Sequence, residues 1–288
     1  MTRSLRLPNA RCDRLHTLVN RGLHLSHFPE RIVCLTEEPT EVLYAINEDW
    51  RIVGISGFTV RPRRARAEKP RVSAFTDAKI DRILAVKPDL AIGFSDLQAD
   101  IAGALIRQGV EVWISNHRTI EQTLGYVQRL GAMVGATVRA NKYAMDLKAG
   151  LEDIRASAAS LRSRPRVYFE KWDEPLISAI RWVSELIEIA GGDDVFAGRS
   201  QSAAAKGRIV ADPAEVVLAN PDIIVGSWCG KKFRAERVTE RAGWQAIRAV
   251  QDGELHEIKS PLILQPGPAA LTEGVRELHR IISAWATR

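Results

Sequence analysis

One phrase occurs twice in this chain, as Lys87-Pro-Asp-Leu-Ala-Ile-Gly93 and as Asn220-Pro-Asp-Ile-Ile-Val-Gly226, 133 residues apart. A repeat at that period constrains the fold more than any bulk figure, because each copy must be one supersecondary unit built twice. A short helical pattern precedes each copy. In the first, Ile80, Ile83 and Leu84 share one face over residues 78–86; in the second, residues 213–219 open on Pro213, which suits a first helical turn. Each unit is therefore a helix, a Pro-Asp corner and a buried strand.

The parallel extends outward. Each phrase is followed by a helical stretch and a further strand, residues 110–115 in one half and 255–258 in the other, and each half opens with a strand, residues 31–35 and 166–169. Helices are expected to start near Pro39 and near Trp182, the latter stopped by Gly191-Gly192. Strand alternating with helix implies parallel sheets covered on both faces. Between the halves, Val138, Ala140, Ala144, Leu147, Leu151, Ile154, Ala158 and Leu161 recur at helical spacing and predict one long amphipathic helix. The expected architecture is α/β: two Rossmann-like lobes with mostly parallel sheets, joined by that helix, with a ligand cleft between the lobes. The divisions expected are an N-terminal extension (1–29), an N-terminal lobe (30–136), the connecting helix (137–163) and a C-terminal lobe (164–288).

In open parallel sheets the ligand-facing residues follow the carboxyl ends of strands. The cleft-lining loops are then 36–40, 57–64, 94–96 and 116–118 in the first half, with 171–182, 227–233 and 260–265 in the second. Composition adds charge to that picture. A formal net charge of +6 with a pI near 9.4 favours anionic ligands, and two basic clusters, one from Arg61 to Arg71 and one at Lys231, Lys232 and Arg234, begin on these loops. Three cysteines, Cys12, Cys34 and Cys229, are too scattered for a disulfide framework or a Cys-x-x-Cys zinc site.

The segments Arg31-Ile-Val-Cys-Leu-Thr-Glu-Glu-Pro-Thr-Glu41, Arg51-Ile-Val-Gly-Ile-Ser56, Ile80-Asp-Arg-Ile-Leu-Ala-Val-Lys-Pro-Asp-Leu90, Trp182-Val-Ser-Glu-Leu-Ile-Glu-Ile-Ala-Gly-Gly192 and Pro221-Asp-Ile-Ile-Val225 resemble those of ABC-importer substrate-binding proteins of the vitamin B12 and iron–siderophore type. The resemblance spans about residues 30–285 and implies a bilobal binder without chemistry. It also implies contacts between each lobe and a membrane permease through a carboxylate. The first-lobe position is Asp81, where a glutamate is usual; the second aligns with Ala214, beside Glu215.

Candidate ligand contacts are Glu37, Glu38, Phe58, Thr59, Arg61, Phe94, Ser95, Trp172, Trp182, Trp228, Lys231 and Lys232. The aromatic rings suit a macrocycle's apolar face, and the cations suit phosphate, carboxylate or catecholate oxygens. Glu37 and Glu38 suit a helix N-terminus, where acids meet the positive dipole end, or a ligand's amide donors from the cleft floor. His24 and His27 lack matching ligands for a protein-made metal site; no resident cofactor or metal and no catalytic residue is expected, and any metal arrives inside its chelate.

These features lead to reversible binding of a corrinoid, cobalamin first, with a ferric siderophore or another anionic metal chelate as the alternative. A chelatase-like tetrapyrrole enzyme ranks lower, since among the histidines only His117 falls on a cleft loop. The expected partners are the small chelate and an ABC permease, with no specific nucleic acid, and the protein is expected to be a monomer. The N-terminal stretch lacks the apolar core of a secretory signal and Cys12 lacks a lipoprotein cleavage context. Read literally that gives a cytoplasmic protein, whereas the resemblance implies a periplasmic one.

Overall fold

The computed structural model describes residues 28–288; Cys12, His24 and His27 lie outside the described residues. The first half contributes β1 (Ile32–Cys34), β2 (Ile52–Ser56), β3 (Arg71–Ser73), β4 (Leu90–Phe94) and β5 (Glu111–Ser115). They form one all-parallel sheet in the order β3-β2-β1-β4-β5. The second half contributes β6 (Arg166–Asp173), β7 (Leu176–Ser178), β8 (Asp193–Asp194), β9 (Ile223–Gly226) and β10 (Leu255–Glu257). Its sheet runs β10-β9-β6-β7, with β8 paired to the start of β6, the β6–β7 hairpin antiparallel, and Ile209 bridged antiparallel to Ile177 on the far side of β7. Helices α1 (Glu37–Ala45), α2 (Ile80–Ala85), α3 (Ala99–Arg107), α4 (Ile120–Met133), α5 (Thr137–Ala159), α6 (Arg181–Ala190), α7 (Ala214–Ala219) and α8 (Val275–Ala286) pack around the sheets, with shorter turns between them. The central strands β1, β4 and β9 are buried along their whole length, as apolar strands covered on both faces must be.

The repeated phrase has a physical meaning. Lys87 and Asn220 take left-handed φ angles of 47° and 40°, ending α2 and α7, and the proline that follows cannot continue a helix. The next residue then locks the sheet. Asp89 accepts the backbone N–H of Arg31 at 3.0 Å, and Asp222 accepts that of Arg166 at 2.8 Å. In each half the Pro-Asp corner thus clips the incoming strand to the start of the half's opening strand.

The connecting helix α5 is 23 residues long, about 34 Å at ~1.5 Å per residue, and ends at Ala159, four residues short of the expected 163. Ala140, Ala144, Leu147, Leu151 and Ala158 are buried on it, whereas Val138 at its start is 83% exposed and drops out of the apolar stripe. At Gly131 a Cβ would come 2.0 Å from that of Ala140, so α4 and α5 approach to backbone distance because neither side chain is larger. A single apolar cluster contains Ile32 and Ile92 of the first sheet, Leu147 and Leu151 of α5, and Val167 and Val225 of the second sheet. The lobes therefore share one core, and a hinge between them must work against that packing.

Two expectations are corrected. Residues 171–182 are not one loop: they hold the end of β6, the hairpin to β7 and the first turn of α6. Within 260–265, Ser260–Ile263 forms a helical turn. The stop of α6 is as expected, with Gly191 at φ 99°.

Candidate ligand-binding site

The carboxyl ends of both sheets converge on the seam between the lobes, and the first lobe brings acids to it. Glu37 and Glu38 open α1 at 7% and 1% exposure. The helix dipole favours ionised side chains there, but burial opposes ionisation more strongly: it pushes the carboxyl of Glu37 up to about 7 and that of Glu38 to about 8, where Glu37's charge adds to the effect. Glu41, one turn on, is pushed by burial to about 7. Both carboxylate oxygens of Glu38 lack a hydrogen-bond partner, as do the buried hydroxyls of Thr36, Thr40, Thr59 and Tyr126. Polar atoms left so are costly in a packed interior, so this floor is a buried and uncompensated polar cluster.

A strap from the second half, the bend at 264–267 leading into the helical turn Ala270–Gly274, lies against the floor. A Cβ on Gly267 would stand 2.7 Å from Cβ of Glu38, so only glycine allows that approach. Ala269 donates its N–H to Glu41 Oε2 at 2.9 Å, and Arg61 pairs with Glu273 and, at 3.9 Å, with Glu41. Burial pushes His117 down to about 4. Its ring is then neutral, with Nδ1 accepting from Ser115 Oγ at 2.8 Å and Nε2 donating to the Pro266 carbonyl at 2.7 Å. Deeper in the seam, Phe94 meets His117 at 5.1 Å and Trp182 at 6.3 Å between ring centres.

The second lobe brings cations. Glu170 is fully buried but fully paired: Arg241 grips both oxygens at 2.6 and 2.9 Å, and Trp228 Nε1 donates at 2.9 Å. Burial pushes the carboxyl of Asp173 up, but Lys231 at 2.9 Å and Arg237 at 2.8 Å more than offset that and hold it below its usual range. Among the described residues of this lobe, Lys171 and Arg208 are the cations that are half-buried or buried and hold no such acid. Arg208 is 3% exposed, and its Nε and Nη1 have no partner. Burial pushes it down to about 10, with repulsion from Arg118 of the first lobe acting in the same direction. Lys171 is also lowered, by burial first and by Arg208 as well, while Cys229 opposes. Arg118 lies over the Phe94 ring at 5.1 Å, and its one carboxylate neighbour among the described residues, the exposed Asp96, is 3.6 Å away. Like charges gathered at partial burial without matching acids repel one another, and an incoming anion relieves them.

Arg118 also lines a seam cavity of about 200 Å³ with Asn116, Gln122, Ile180, Arg181 and residues 200–203. Ligand sites usually hold ~300–1,000 Å³, so a macrocycle requires the seam to widen. A larger groove of about 1040 Å³ runs between α4, α5 and α6. It reaches β8 at the amino end of β6, opposite the carboxyl ends that face the cleft, and its walls carry the ion pairs Arg155–Glu152 and Arg164–Asp193.

Of the expected contacts, Phe58 is 55% exposed at the first-lobe lip. Trp172 is half-buried, its ring 4.0 Å from Lys231 Nζ, and Lys232 is exposed. Glu37, Glu38 and Thr59 lie in the floor. Ser95 is buried, and its Oγ accepts from Leu97 N–H. Phe94, Trp182 and Trp228 are corrected from cleft wall to packing. Trp182 and Trp228 are 3% and 2% exposed, with their indole N–H groups bonded to the Ile263 carbonyl and to Glu170. Arg61 and Lys231 are corrected too, since both already hold protein carboxylates. Asp81 is exposed on α2, and Glu215 on α7 pairs with Arg199. Sequence reading passed over Arg118, Lys171 and Arg208. The first two lay on the expected loops, but nothing local marks Arg208, whose meaning comes from burial without a partner.

A family model described as "Periplasmic binding protein" matches residues 32–262. The chain is 26% identical over 252 residues to a vitamin B12-binding protein of Vibrio cholerae, covering 85% of this chain and 86% of that one. It is 23% identical over 272 residues to an uncharacterized ABC transporter substrate-binding lipoprotein of Bacillus subtilis, covering 91% and 83%. Among solved structures, the periplasmic vitamin B12-binding protein of Vibrio cholerae superposes with a TM-score of 0.71 at 23% identity, covering 90% of this chain and 99% of that one. A possible iron-binding protein of Staphylococcus epidermidis gives 0.76 at 20%, covering 88% and 98%. At those identities the superpositions establish the fold.

Proposed function

This chain belongs to the periplasmic binding protein family, and from that premise we propose that it captures an acid-bearing metal chelate, a corrinoid first, between its lobes and hands it on unchanged to an ABC permease. The observation that carries this reading is Arg208, buried with two guanidinium nitrogens free and flanked by Lys171 and Arg118. A charge held that way is relieved when a phosphate or carboxylate arrives, and guanidinium binds both in bidentate fashion. The vitamin B12-binding relatives support a corrinoid, and cobalamin carries a phosphodiester that suits the cations. Phe58 and Trp172 supply apolar faces at the two lips. Asp81 and Glu215 are the proposed permease contacts, Glu215 after release from Arg199.

Isothermal titration with cyanocobalamin, cobinamide and a ferric siderophore tests the reading. Cyanocobalamin should give saturable heat, and cobinamide, which lacks the phosphodiester, should bind about tenfold or more weakly. Absence of heat and of thermal stabilisation with both corrinoids overturns the corrinoid identity. A second reading, a ferric siderophore or other polyanionic chelate, is favoured by charge count, since three cations exceed one phosphodiester; preferential binding of the siderophore would select it.

A further inference from the structure

We propose that the strap carrying Pro266, Gly267 and Ala269 is a proton-operated clasp: it holds the lobes together while the floor acids beneath it are neutral, and it lifts to widen the seam when they ionise. The consequence for ligand entry rests on the interlobe binding reading, whereas the clasp itself is tested without ligand.

Three ties fasten the strap to the first lobe. His117 Nε2 donates to the Pro266 carbonyl at 2.7 Å, Ala269 donates its N–H to Glu41 Oε2 at 2.9 Å, and Arg61 pairs with Glu273 just beyond. Between the first two ties Gly267 presses on Glu38: a Cβ there would stand 2.7 Å from Cβ and 3.4 Å from Cα of that acid. Water reaches Glu38 from this side only when the strap moves. The strap enters α8 through Ala270–Gly274, a π-helical turn wider than the α-helix that follows, and such turns are common at functional sites.

Glu38 has nothing to balance a charge. Burial raises its carboxyl to about 8, Glu37 and Glu41 on the same helix add like charge, and both of its oxygens lack a partner. The groups facing the three acids from other elements are Cys34 of β1, Arg61 after β2, Tyr126 and, behind it, Arg129 of α4, Tyr143 of α5, and Glu273. Burial raises the thiol and both phenols, so they stay neutral, and Arg61 is already taken by Glu273. His117 is pushed down to about 4 by burial, so the tie to Pro266 does not titrate above that.

Acids raised by burial hold their protons more tightly with the strap down than they would in water. Each proton lost as pH rises from about 4.5 to about 8 then favours the state in which the acids are hydrated, which is the lifted strap. The Ala269 bond favours a charged Glu41 and opposes lifting, yet burial still leaves Glu41 raised to about 7. The net push is therefore outward.

Hydrogen exchange in the ligand-free full chain, corrected for the intrinsic pH dependence of exchange, reads the clasp. Protection at the Ala269 amide should fall about tenfold or more between pH 6 and 9, while Ile224 and Val225 of β9 keep theirs. In Glu38→Gln most of that fall should disappear. Should Glu38→Gln not fold, Gly267→Ala gives a second reading: its Cβ does not fit against Glu38, so Ala269 should be unprotected at both pH values with β9 still protected. The clasp is overturned by protection that is flat across pH in the wild type, that falls as much in Glu38→Gln, that falls only together with β9, or that is unchanged by Gly267→Ala. Cyanocobalamin association, followed by stopped flow, should quicken with pH over the same window. An association rate that ignores pH while the strap lifts overturns the link to ligand entry. A strap that lifts in a protein binding neither corrinoid nor siderophore overturns the capture reading alone, and tight binding with a flat strap overturns the clasp alone.

Discussion

The two lobes end their opening strands on matched positions and opposite solutions. The first lobe runs Leu35-Thr36-Glu37-Glu38 after β1, and the second runs Glu170-Lys171-Trp172-Asp173 along the end of β6. In the first, an apolar Leu35 is buried, and beyond it Glu38 is buried with both carboxylate oxygens unpartnered. In the second, the buried acids are locked into ion pairs, and it is the cations Lys171 and Arg208 that are left over. The duplicated frame is thus neutral with respect to ligand chemistry. What the seam can recognise is decided in the few residues past each strand, where one lobe leaves protons to be gained or lost and the other leaves positive charge to be matched.

The largest test of that contrast is Glu170→Ala. It removes the acid under Arg241 and Trp228 and leaves a guanidinium in a half-closed site, which should cost about 3–5 kcal/mol in denaturant unfolding. Leu35→Ala at the matched first-lobe position should cost about 2–5 kcal/mol through a cavity instead. Only the Glu170 variant should gain stability back when Arg241 is replaced as well. A loss below about 1 kcal/mol for Glu170→Ala would mean that the paired acid is not what holds the second lobe's cleft end.

Next comes pH. Carboxyls raised on folding bind more protons in the native than in the unfolded state, so stability falls as pH rises from the ordinary glutamate range through their folded values and then levels off. For Glu37, Glu38 and Glu41 that window runs from about 4.5 to about 8. Glu38 alone should account for roughly 2–4 kcal/mol across it. Glu38→Gln should flatten the denaturation midpoint between pH 5 and 9. The second lobe's Asp173, held charged, should give no loss in that window, and an equal flattening by Asp173→Asn would break the comparison.

Much of this frame could be read in the sequence, because its signals are local. Lys87-Pro-Asp and Asn220-Pro-Asp dictate a helix end and a strand clip from three consecutive residues, and Gly191 marks the end of α6 by its φ. The β6–β7 hairpin was missed because Asp173-Glu-Pro-Leu176 reads equally well as loop chemistry. The site was less legible. Position after a strand identifies a cleft loop but not the direction of a side chain, so Trp182 and Trp228 were assigned to the wall although they close the core. Arg61 and Lys231 look free until tertiary structure supplies Glu273 and Asp173. Arg208 sits in a stretch with no pattern, and only its burial without a partner gives it meaning.

Arg208→Met offers a smaller stability effect of the opposite sign. Replacing an unmatched buried charge by an apolar side chain of similar length should raise stability by about 1–3 kcal/mol while anion-bearing ligands lose about tenfold or more in affinity. Stability and binding moving in opposite directions is the signature of a charge kept for its ligand. If both fall together, Arg208 is part of the second lobe's framework, and the contrast between the lobes narrows to the paired acids alone.

The smallest effect belongs to Arg61, which ties the lobes together rather than distinguishing them. It pairs with Glu273 and Glu41 from a side chain 31% exposed, and Glu273 itself is 48% exposed. Solvent screens such a bridge, so Arg61→Ala should cost under about 1 kcal/mol in stability. Its larger consequence is electrostatic. Arg61 lowers Glu41, one of the three raised acids, so its loss should move the pH-dependent decline of the first lobe to higher pH and leave the second lobe's paired acids untouched. A decline that stays in place after Arg61→Ala, followed by denaturation across the same pH range, would mean that the acids of the floor titrate independently of the strap, and that the two lobes meet at this seam without sharing its charge.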